Sequence, residues 1–167
     1  GRAGASLARL LPCSLSWVTA CRRSSRVPAG RRCATRSTVI AVDTNILVYA
    51  HRADSPFHDR ARLTLESLAV GARAWAIPWP CAHEFFAVVT HPRIYKTATP
   101  ASMAFAQLRA LQTLANLAFI AEADDYLQHL EPLALAAKAH GGAIHDARIA
   151  AICLSHGVAE LWSADRD

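Results

Sequence analysis

Short apolar runs alternate along the chain with longer segments in which apolar residues recur every three or four positions. The runs predict four strands, at residues 38–42, 74–77, 118–121 and 160–163. The periodic segments predict six helices, at residues 46–51, 54–68, 80–90, 100–117, 124–140 (interrupted by Pro132) and 144–156. Strands that alternate with helices are typical of an α/β protein with three α/β/α layers around a central parallel sheet.

Residues 1–37 differ from the rest of the chain in composition. They carry eight arginines and no acid, and they show neither the helical nor the strand period. This composition is typical of a transit peptide. Alternatively, the segment ending at Cys21 imitates a lipoprotein signal, or the stretch is translated upstream of the true start. We predict a disordered or extraneous basic extension at 1–37 and a single domain at 38–167.

The positive net charge belongs to that extension. Residues 38–167 carry 10 basic and 13 acidic side chains, a net charge of −3, so the overall charge is no evidence for nucleic-acid binding by the domain. No apolar run approaches the roughly 18 residues that a membrane-spanning helix needs, which predicts no membrane contact. The five cysteines form no C-x-x-C pair, which favours a reduced, cytoplasmic protein.

Four acidic residues fall where strands end and helices begin. Asp43 follows the first predicted strand and Asp165 the last, while Glu84 lies on the helix after the second strand. Asp146 lies in the first turn of its helix, in phase with apolar residues such as Cys153, so we expect it to project from the buried side. Ligands gather beyond the carboxyl ends of parallel strands. We therefore expect these four carboxylates to lie together, apart from the other acids Asp54, Asp59, Glu122 and Asp125.

Each acid also has an ordinary structural explanation. Asp43 and Asp146 are suited to capping helices, Asp165 to a turn and Glu84 to a solvated helix face. Several ionised carboxylates share a small site only if a cation compensates their charge, and Mg²⁺ or Mn²⁺ prefers oxygen ligands. The chemistry that uses such a cluster is attack of water on a phosphodiester.

Several motifs resemble the signatures of PIN-domain ribonucleases of the VapC toxin type. They are VDTNILVYA at 42–50, Glu84 within 81–91, IHDARIAA at 144–151, and HGV followed by LWSADRD at 156–167. The four lie in the same order and at similar spacing over nearly all of residues 38–167. In the last signature a serine or threonine, here Ser163, precedes the acid by two positions.

The resemblance implies a Mg²⁺- or Mn²⁺-dependent endoribonuclease that forms a homodimer and pairs with a VapB-type antitoxin. It makes Asp43, Glu84, Asp146 and Asp165 the catalytic and metal-binding residues, with Asn45 and Ser163 as polar supports. The family continues with a phenylalanine and a final strand, so we expect a sheet without its C-terminal strand.

Other functional features are less specific. The loop at 91–96 carries Arg93 and Lys96 as candidate RNA contacts and Tyr95 as a base-stacking candidate, or is simply solvated. Arg148 is a candidate partner for a carboxylate. The doublets His58-Asp59 and His145-Asp146 suggest an all-helical HD-type phosphohydrolase instead. A catalytically impaired PIN fold that only binds is the second alternative, and the identity of the RNA and of the antitoxin stays open.

Overall fold

The computed structural model describes residues 39–164, so the predictions for residues 1–37 and for Asp165 lie outside the described residues. The strands are β1 (Val39–Val42), β2 (Trp75–Pro78), β3 (Leu117–Ile120) and β4 (Val158–Trp162). The helices are α1 (Thr44–His51), α2 (His58–Val70), α3 (Trp79–Val89), α4 (Ala101–Gln112), α5 (Tyr126–Ala136) and α6 (Ala143–Ser155). Among residues 39–164 no helix is long and apolar enough to cross a membrane.

The four strands form one parallel sheet in the order β3-β2-β1-β4. The chain moves outward from β1 through β2 to β3 and then crosses to the opposite side of β1 to form β4. Between β1 and β4 the strand order therefore reverses, which makes a topological switch point at the carboxyl ends of these two strands. β1 has neighbours on both edges and both faces, and this explains its uninterrupted apolar sequence, in which Ile40, Ala41 and Val42 are fully buried.

Helices cover both faces of the sheet. Trp75 and Ile77 of β2 belong to one apolar cluster with residues of α1, α2 and α3. Ala76, between them in sequence, packs on the other face with Ile120 of β3 and Ile152 of α6. This alternation along β2 confirms the predicted three-layer arrangement.

Three of the differences from the predicted elements have a clear physical reason or consequence. α2 begins at His58, because residues 52–57 form turns in which Ser55 donates to the Arg52 carbonyl. α4 ends at Gln112, and the next residues turn back to start β3. α5 continues through Pro132 to Ala136, so the expected interruption there was wrong. At the end of α6, Gly157 adopts φ +64°, which turns the chain into β4.

Candidate active site

Asp43 lies at the switch point, where the chain leaves β1 and enters α1. Its backbone N–H donates to the carbonyl oxygen of Trp162 at 2.9 Å, which ties it to the end of β4. Its carboxylate Oδ1 accepts from the backbone N–H of Thr44 at 2.7 Å, so Asp43 also caps α1. The capping and the active-site interpretations are compatible, because the cap occupies only one oxygen of the half-buried carboxylate.

Asn45 and Ser163 converge on the second oxygen of this carboxylate. Ser163 Oγ donates to Asp43 Oδ2 at 2.7 Å, and Asn45 Nδ2 donates to the same oxygen at 3.1 Å. Asn45 Nδ2 also lies 2.8 Å from Ser163 Oγ, and Asn45 Oδ1 accepts from the backbone N–H of Ala164 at 2.9 Å. The network spans β1, α1 and the end of β4. It therefore fixes the orientation of Asp43 where two strands from distant parts of the sequence meet.

Glu84 is joined to Asp43 through Thr44. The Thr44 hydroxyl donates to Glu84 Oε2 at 2.7 Å, while its backbone N–H contacts Asp43 as described above. Thr44 is only 7% exposed, whereas Glu84 is exposed, so a buried hydroxyl holds a carboxylate that faces solvent. Sequence reasoning assigned no role to Thr44. The available signal was a hydroxyl residue directly after the first acid.

Two buried thiols lie behind this carboxylate. Cys81 Sγ donates to Asp43 Oδ1 at 3.7 Å. Burial first, and then the negative charge of Asp43, raises the pKa of the Cys81 thiol well above its usual range, so it stays protonated and able to donate. The same two causes raise the pKa of Cys153 to about 12. Both are free cysteines.

Asp146 differs from the expectation in its exposure, because its side chain is exposed although helical phase puts it on the same side of α6 as buried residues. It lies in the first turn of α6, ahead of the residues that pack on the sheet, and forms no hydrogen bond or ion pair with any residue in 39–164. Cys153 lies seven residues further along the same helix face, about 10 Å along the axis. The charge of Asp43 is the second cause of the raised pKa of this thiol. Asp146 therefore lies about two turns of α6 away from Cys153, toward the start of the helix.

The side-chain atoms that could ligate a metal ion at this end of the sheet are mostly oxygens. Among residues 39–164 no group of three or more histidine, cysteine or acidic side chains is arranged to hold a metal ion. Asp43 and Glu84 do form an oxygen pair, and Mg²⁺ usually binds through one or two carboxylates while it keeps several waters. Because both side chains offer carboxylate oxygens, this pair suits Mg²⁺ or Mn²⁺.

The loop after α3 carries the two candidate RNA-binding cations. Arg93 and Lys96 are both exposed and form no ion pair with residues 39–164. Tyr95 is engaged, because the guanidinium of Arg52 lies 3.9 Å from the centre of its ring. Arg52 also donates to the Thr97 carbonyl at 2.8 Å, which holds the loop against the end of α1. One face of Tyr95 is therefore closed to a stacking base.

Three of the four acids that were expected to lie outside the site form ion pairs of their own. Asp54 pairs with Arg52, Glu122 with Arg148 and Asp125 with His129. Arg148 thus finds the carboxylate partner that the sequence suggested. The parallel sheet excludes the all-helical phosphohydrolase alternative, and His58 uses Nδ1 in a 3.2 Å contact with the Tyr49 carbonyl.

Several curated proteins are similar to this chain over most of its length. Ribonuclease VapC48 of Mycobacterium tuberculosis is 30% identical over 125 residues, which cover 75% of this chain and 86% of the relative. VapC ribonuclease Mb2897 of Mycobacterium bovis is 33% identical over 128 residues, 77% of this chain and 86% of the relative.

Solved structures share the fold at lower sequence identity. The sarcin-ricin loop cleaving toxin VapC20 of Mycobacterium tuberculosis aligns with a TM-score of 0.57 at 14% identity, over 77% of this chain and 91% of that one. VapBC2 of Rickettsia felis, bound to a promoter DNA fragment, aligns with a TM-score of 0.52 at 20% identity, over 72% of this chain and 84% of that one. The PIN-domain family model matches residues 40–167, and the chain belongs to the PIN-domain family.

Proposed function

We propose that this protein is the endoribonuclease toxin of a VapBC-type toxin–antitoxin pair, and that it hydrolyses RNA phosphodiester bonds at the carboxyl ends of β1 and β4. The observation that carries the proposal is the pair of carboxylates, Asp43 and Glu84, that Thr44 joins at the switch point. The similar proteins named as VapC ribonucleases support the same activity.

We assign the catalytic and metal-binding roles to Asp43, Glu84, Asp146 and Asp165, with Asn45 and Ser163 as supports. The assignment of Asp43 and Glu84 rests on the contact that each makes with Thr44. For Asp146 the support is its place on α6, which passes close to Asp43. For Asp165 it is the position two residues after Ser163, whose hydroxyl contacts Asp43.

The reaction forms a bond between a water oxygen and phosphorus and breaks the bond from phosphorus to a ribose oxygen. A divalent ion, when bound, lowers the pKa of the attacking water and neutralises the charge that develops on the phosphate. Of the four assigned carboxylates, Asp43 and Glu84 are the two that Thr44 brings together and that would hold it. Asn45, Ser163 and Thr44 keep these carboxylates in one orientation, so that little reorganisation is needed when the substrate arrives.

The approach of RNA depends on cations outside this acidic pair. The exposed side chains of Arg93 and Lys96, on the loop that follows the Glu84 helix, are suited to contact phosphates. Such contacts weaken as salt rises, because bound counterions are released on binding.

A cleavage assay on RNA separates the enzyme from a PIN fold that only binds. We expect cleavage with Mg²⁺ or Mn²⁺, none with excess chelator, and a loss of several orders of magnitude in Asp43→Asn, which keeps the size of the side chain. The Asp43→Asn protein, purified in the same way, also controls for contaminating ribonuclease. RNA binding without cleavage would support the binding module, and chelator-resistant cleavage would refute the metal-dependent site.

The proposed partners follow from the resemblance of the sequence motifs to VapC toxins. We expect a homodimer, an RNA substrate and a VapB-type antitoxin, in the reducing cytoplasm that suits two free buried cysteines. Expression of the protein should arrest growth, and the Asp43→Asn variant should relieve the arrest. Light scattering tests the dimer, and a monomer at micromolar concentration would remove that part of the proposal.

The domain boundary is a separate proposal. We place the PIN domain at 38–167 and regard residues 1–37 as unnecessary for its stability and activity. Deletion of 1–37 should leave thermal stability and metal-dependent cleavage unchanged, while salt-sensitive, non-specific RNA binding weakens with the loss of eight arginines. If the shortened protein fails to fold, the boundary at Thr38 is wrong.

A further inference from the structure

A second group of side chains converges beyond the carboxyl ends of β2 and β3, beside the Asp43–Glu84 pair. Its members come from four separate parts of the chain: Trp79 and His83 from α3, Glu122 from the segment after β3, Tyr126 from α5, and Arg148 from α6. The group combines aromatic rings, one carboxylate and one guanidinium. None of these residues has a role in the proposed cleavage site.

The aromatic part of the group is a partly open platform. Trp79 is half-buried, and its ring centre lies 4.9 Å from that of Phe119, which supports it from below. The exposed imidazole of His83, one turn further along α3, lies 5.7 Å from the indole centre. Flat side chains that are supported on one side and exposed on another are what unpaired RNA bases stack on.

The polar part of the group is an ion pair at the edge of this platform. Arg148 Nε and Nη2 both donate to Glu122 Oε1, at 2.6 and 2.5 Å. The pKa of Glu122 is lowered first by its own backbone N–H and then by Arg148, with a smaller contribution from His83, so the carboxylate is ionised. Two of the five guanidinium N–H groups are used, and the carboxylate has lone pairs left.

The charges of Glu122 and Arg148 indicate which part of an RNA this group can bind. Glu122 neutralises Arg148 and repels a phosphate, so the group is poorly suited to the RNA backbone. A carboxylate beside a guanidinium instead offers acceptors and donors to the edge of a nucleobase, while the rings offer a stacking surface.

The group is also placed next to the cleavage site. His83 directly precedes Glu84 on α3, and neighbouring residues of a helix point about 100° apart. On α6, Arg148 lies two residues after Asp146. α3 therefore carries Glu84 toward Thr44 at the switch point and the Trp79–His83 pair toward Phe119 of β3, while α6 carries Arg148 toward Glu122.

We propose that Trp79, His83, Glu122 and Arg148 form a nucleobase-binding subsite that selects an unpaired RNA base next to the cleaved phosphodiester. The assignment rests on the proposed ribonuclease function. It adds a determinant of sequence preference, in which the base stacks on Trp79 and His83 and its edge contacts the Glu122–Arg148 pair.

The first test measures binding without cleavage. Tryptophan fluorescence is recorded while oligoribonucleotides of about eight residues are added to the Asp43→Asn protein, in which the chemistry is disabled. We expect quenching that disappears in Trp79→Leu, a variant that keeps apolar packing against Phe119. In His83→Ala the affinity should fall about ten- to hundredfold. The matched control is His129→Ala, a histidine on α5 that pairs with Asp125 outside the subsite.

The second test measures base preference in the otherwise wild-type enzyme. Cleavage rates are compared for oligonucleotides that differ in the single base on either side of the cleaved bond. Glu122→Gln should change the ratio of kcat/KM between these substrates about tenfold. Glu66→Gln, in the exposed Arg62–Glu66 pair of α2, should leave the ratio unchanged. A purely structural role of Glu122 would lower all rates equally.

The outcomes separate this subsite from the proposed function. Quenching at Trp79 without any cleavage by the wild-type protein would support the subsite and refute the ribonuclease. Cleavage whose base preference is the same in Glu122→Gln, with unchanged affinity in His83→Ala, would refute the subsite and leave the ribonuclease standing. Thermal melting of each variant confirms that the comparison is made between folded proteins.

Discussion

An asparagine stands at each end of the sheet, and the two differ in what they hold. At the carboxyl end Asn45 contacts Asp43, Ser163 and the backbone of Ala164. At the amino end Asn116 donates to three main-chain carbonyls, at 2.8, 2.9 and 3.2 Å, and accepts from the indole of Trp75 at 3.3 Å; the carbonyls are those of Leu68, Gly71 and Arg73.

The difference shows how the same side-chain chemistry serves stability at one end and function at the other. The bonds of Asn116 close the turn before β2. Asn116 also lines a cleft whose other described residues are apolar side chains and His156, with no carboxylate among them. The bonds of Asn45 fix a carboxylate that stays partly open to solvent. A polar network that orients an accessible charge has a use beyond folding.

After the loss expected in Asp43→Asn, the largest expected effect comes from the exposed carboxylate of Glu84, which the Thr44 hydroxyl contacts. Glu84→Gln keeps the size and the contact with the hydroxyl but removes the charge, so RNA cleavage should fall by two or more orders of magnitude, roughly 3 kcal/mol or more in activation free energy. The matched control is Glu66→Gln, an exposed glutamate on α2. Equal activity of the two variants would remove Glu84 from the site.

A smaller effect on cleavage is expected from the asparagine at the carboxyl end. Asn45→Ala leaves Asp43 charged but loosens its orientation, and loss of a supporting partner of this kind lowers activity about 10- to 100-fold. Asn116→Ala should leave the rate per folded molecule unchanged. If Asn116→Ala reduces this rate as much as Asn45→Ala does, the proposed difference between the two asparagines is wrong.

The effect of Asn116→Ala should appear in the stability of the protein and not in its cleavage rate. Its removal leaves carbonyl groups near the start of β2 without their donor, which costs about 1–3 kcal/mol in the free energy of unfolding. Urea denaturation of Asn116→Ala and the wild-type protein measures this difference. An unchanged midpoint would mean that the turn is held by the backbone bond from Trp75 to the Asn116 carbonyl.

The smallest effect is a pH dependence at the end of α1. Burial, and then the charge of Arg52, lowers the pKa of His51 below its usual value of 6.5. The unfolded chain then binds a proton more readily than the folded one, so stability should fall as the pH drops through 6.5 and level off below the folded pKa. The slope should shrink in His51→Gln, compared by denaturation at about pH 5 and about pH 7.5.

Much of the fold could be predicted because its signals are local. The apolar run of β1 and the helical periodicity of α3 and α6 each reflect the burial of one element. The turn at Arg52–Asp54 and the continuation of α5 through Pro132 were missed. In the first, a side-chain ion pair holds Asp54 outside the helix; in the second, a helix with no buried residue tolerates the proline.

The candidate site was predictable only in part. Asp43, Asn45 and Ser163 meet because β1 and β4 are neighbours, which follows from the motif order once the fold is known. The contact of Thr44 with Glu84 joins residues 40 positions apart in sequence, and no local pattern encodes it. The exposure of Asp146 was missed because helical phase gives a direction but not the depth at which the first turn meets the sheet.

Divalent-ion binding in the absence of RNA tests the central claim most directly. Calorimetric titration with Mn²⁺ should show binding to the wild-type protein and to Asn116→Ala, since the amino end of the sheet plays no part in the site. Binding should be lost or weakened at least about 10-fold in Asp43→Asn, whose fold is checked by circular dichroism. Binding of Mn²⁺ to folded Asp43→Asn with wild-type affinity would contradict the assignment of the carboxyl ends of β1 and β4 as the active site.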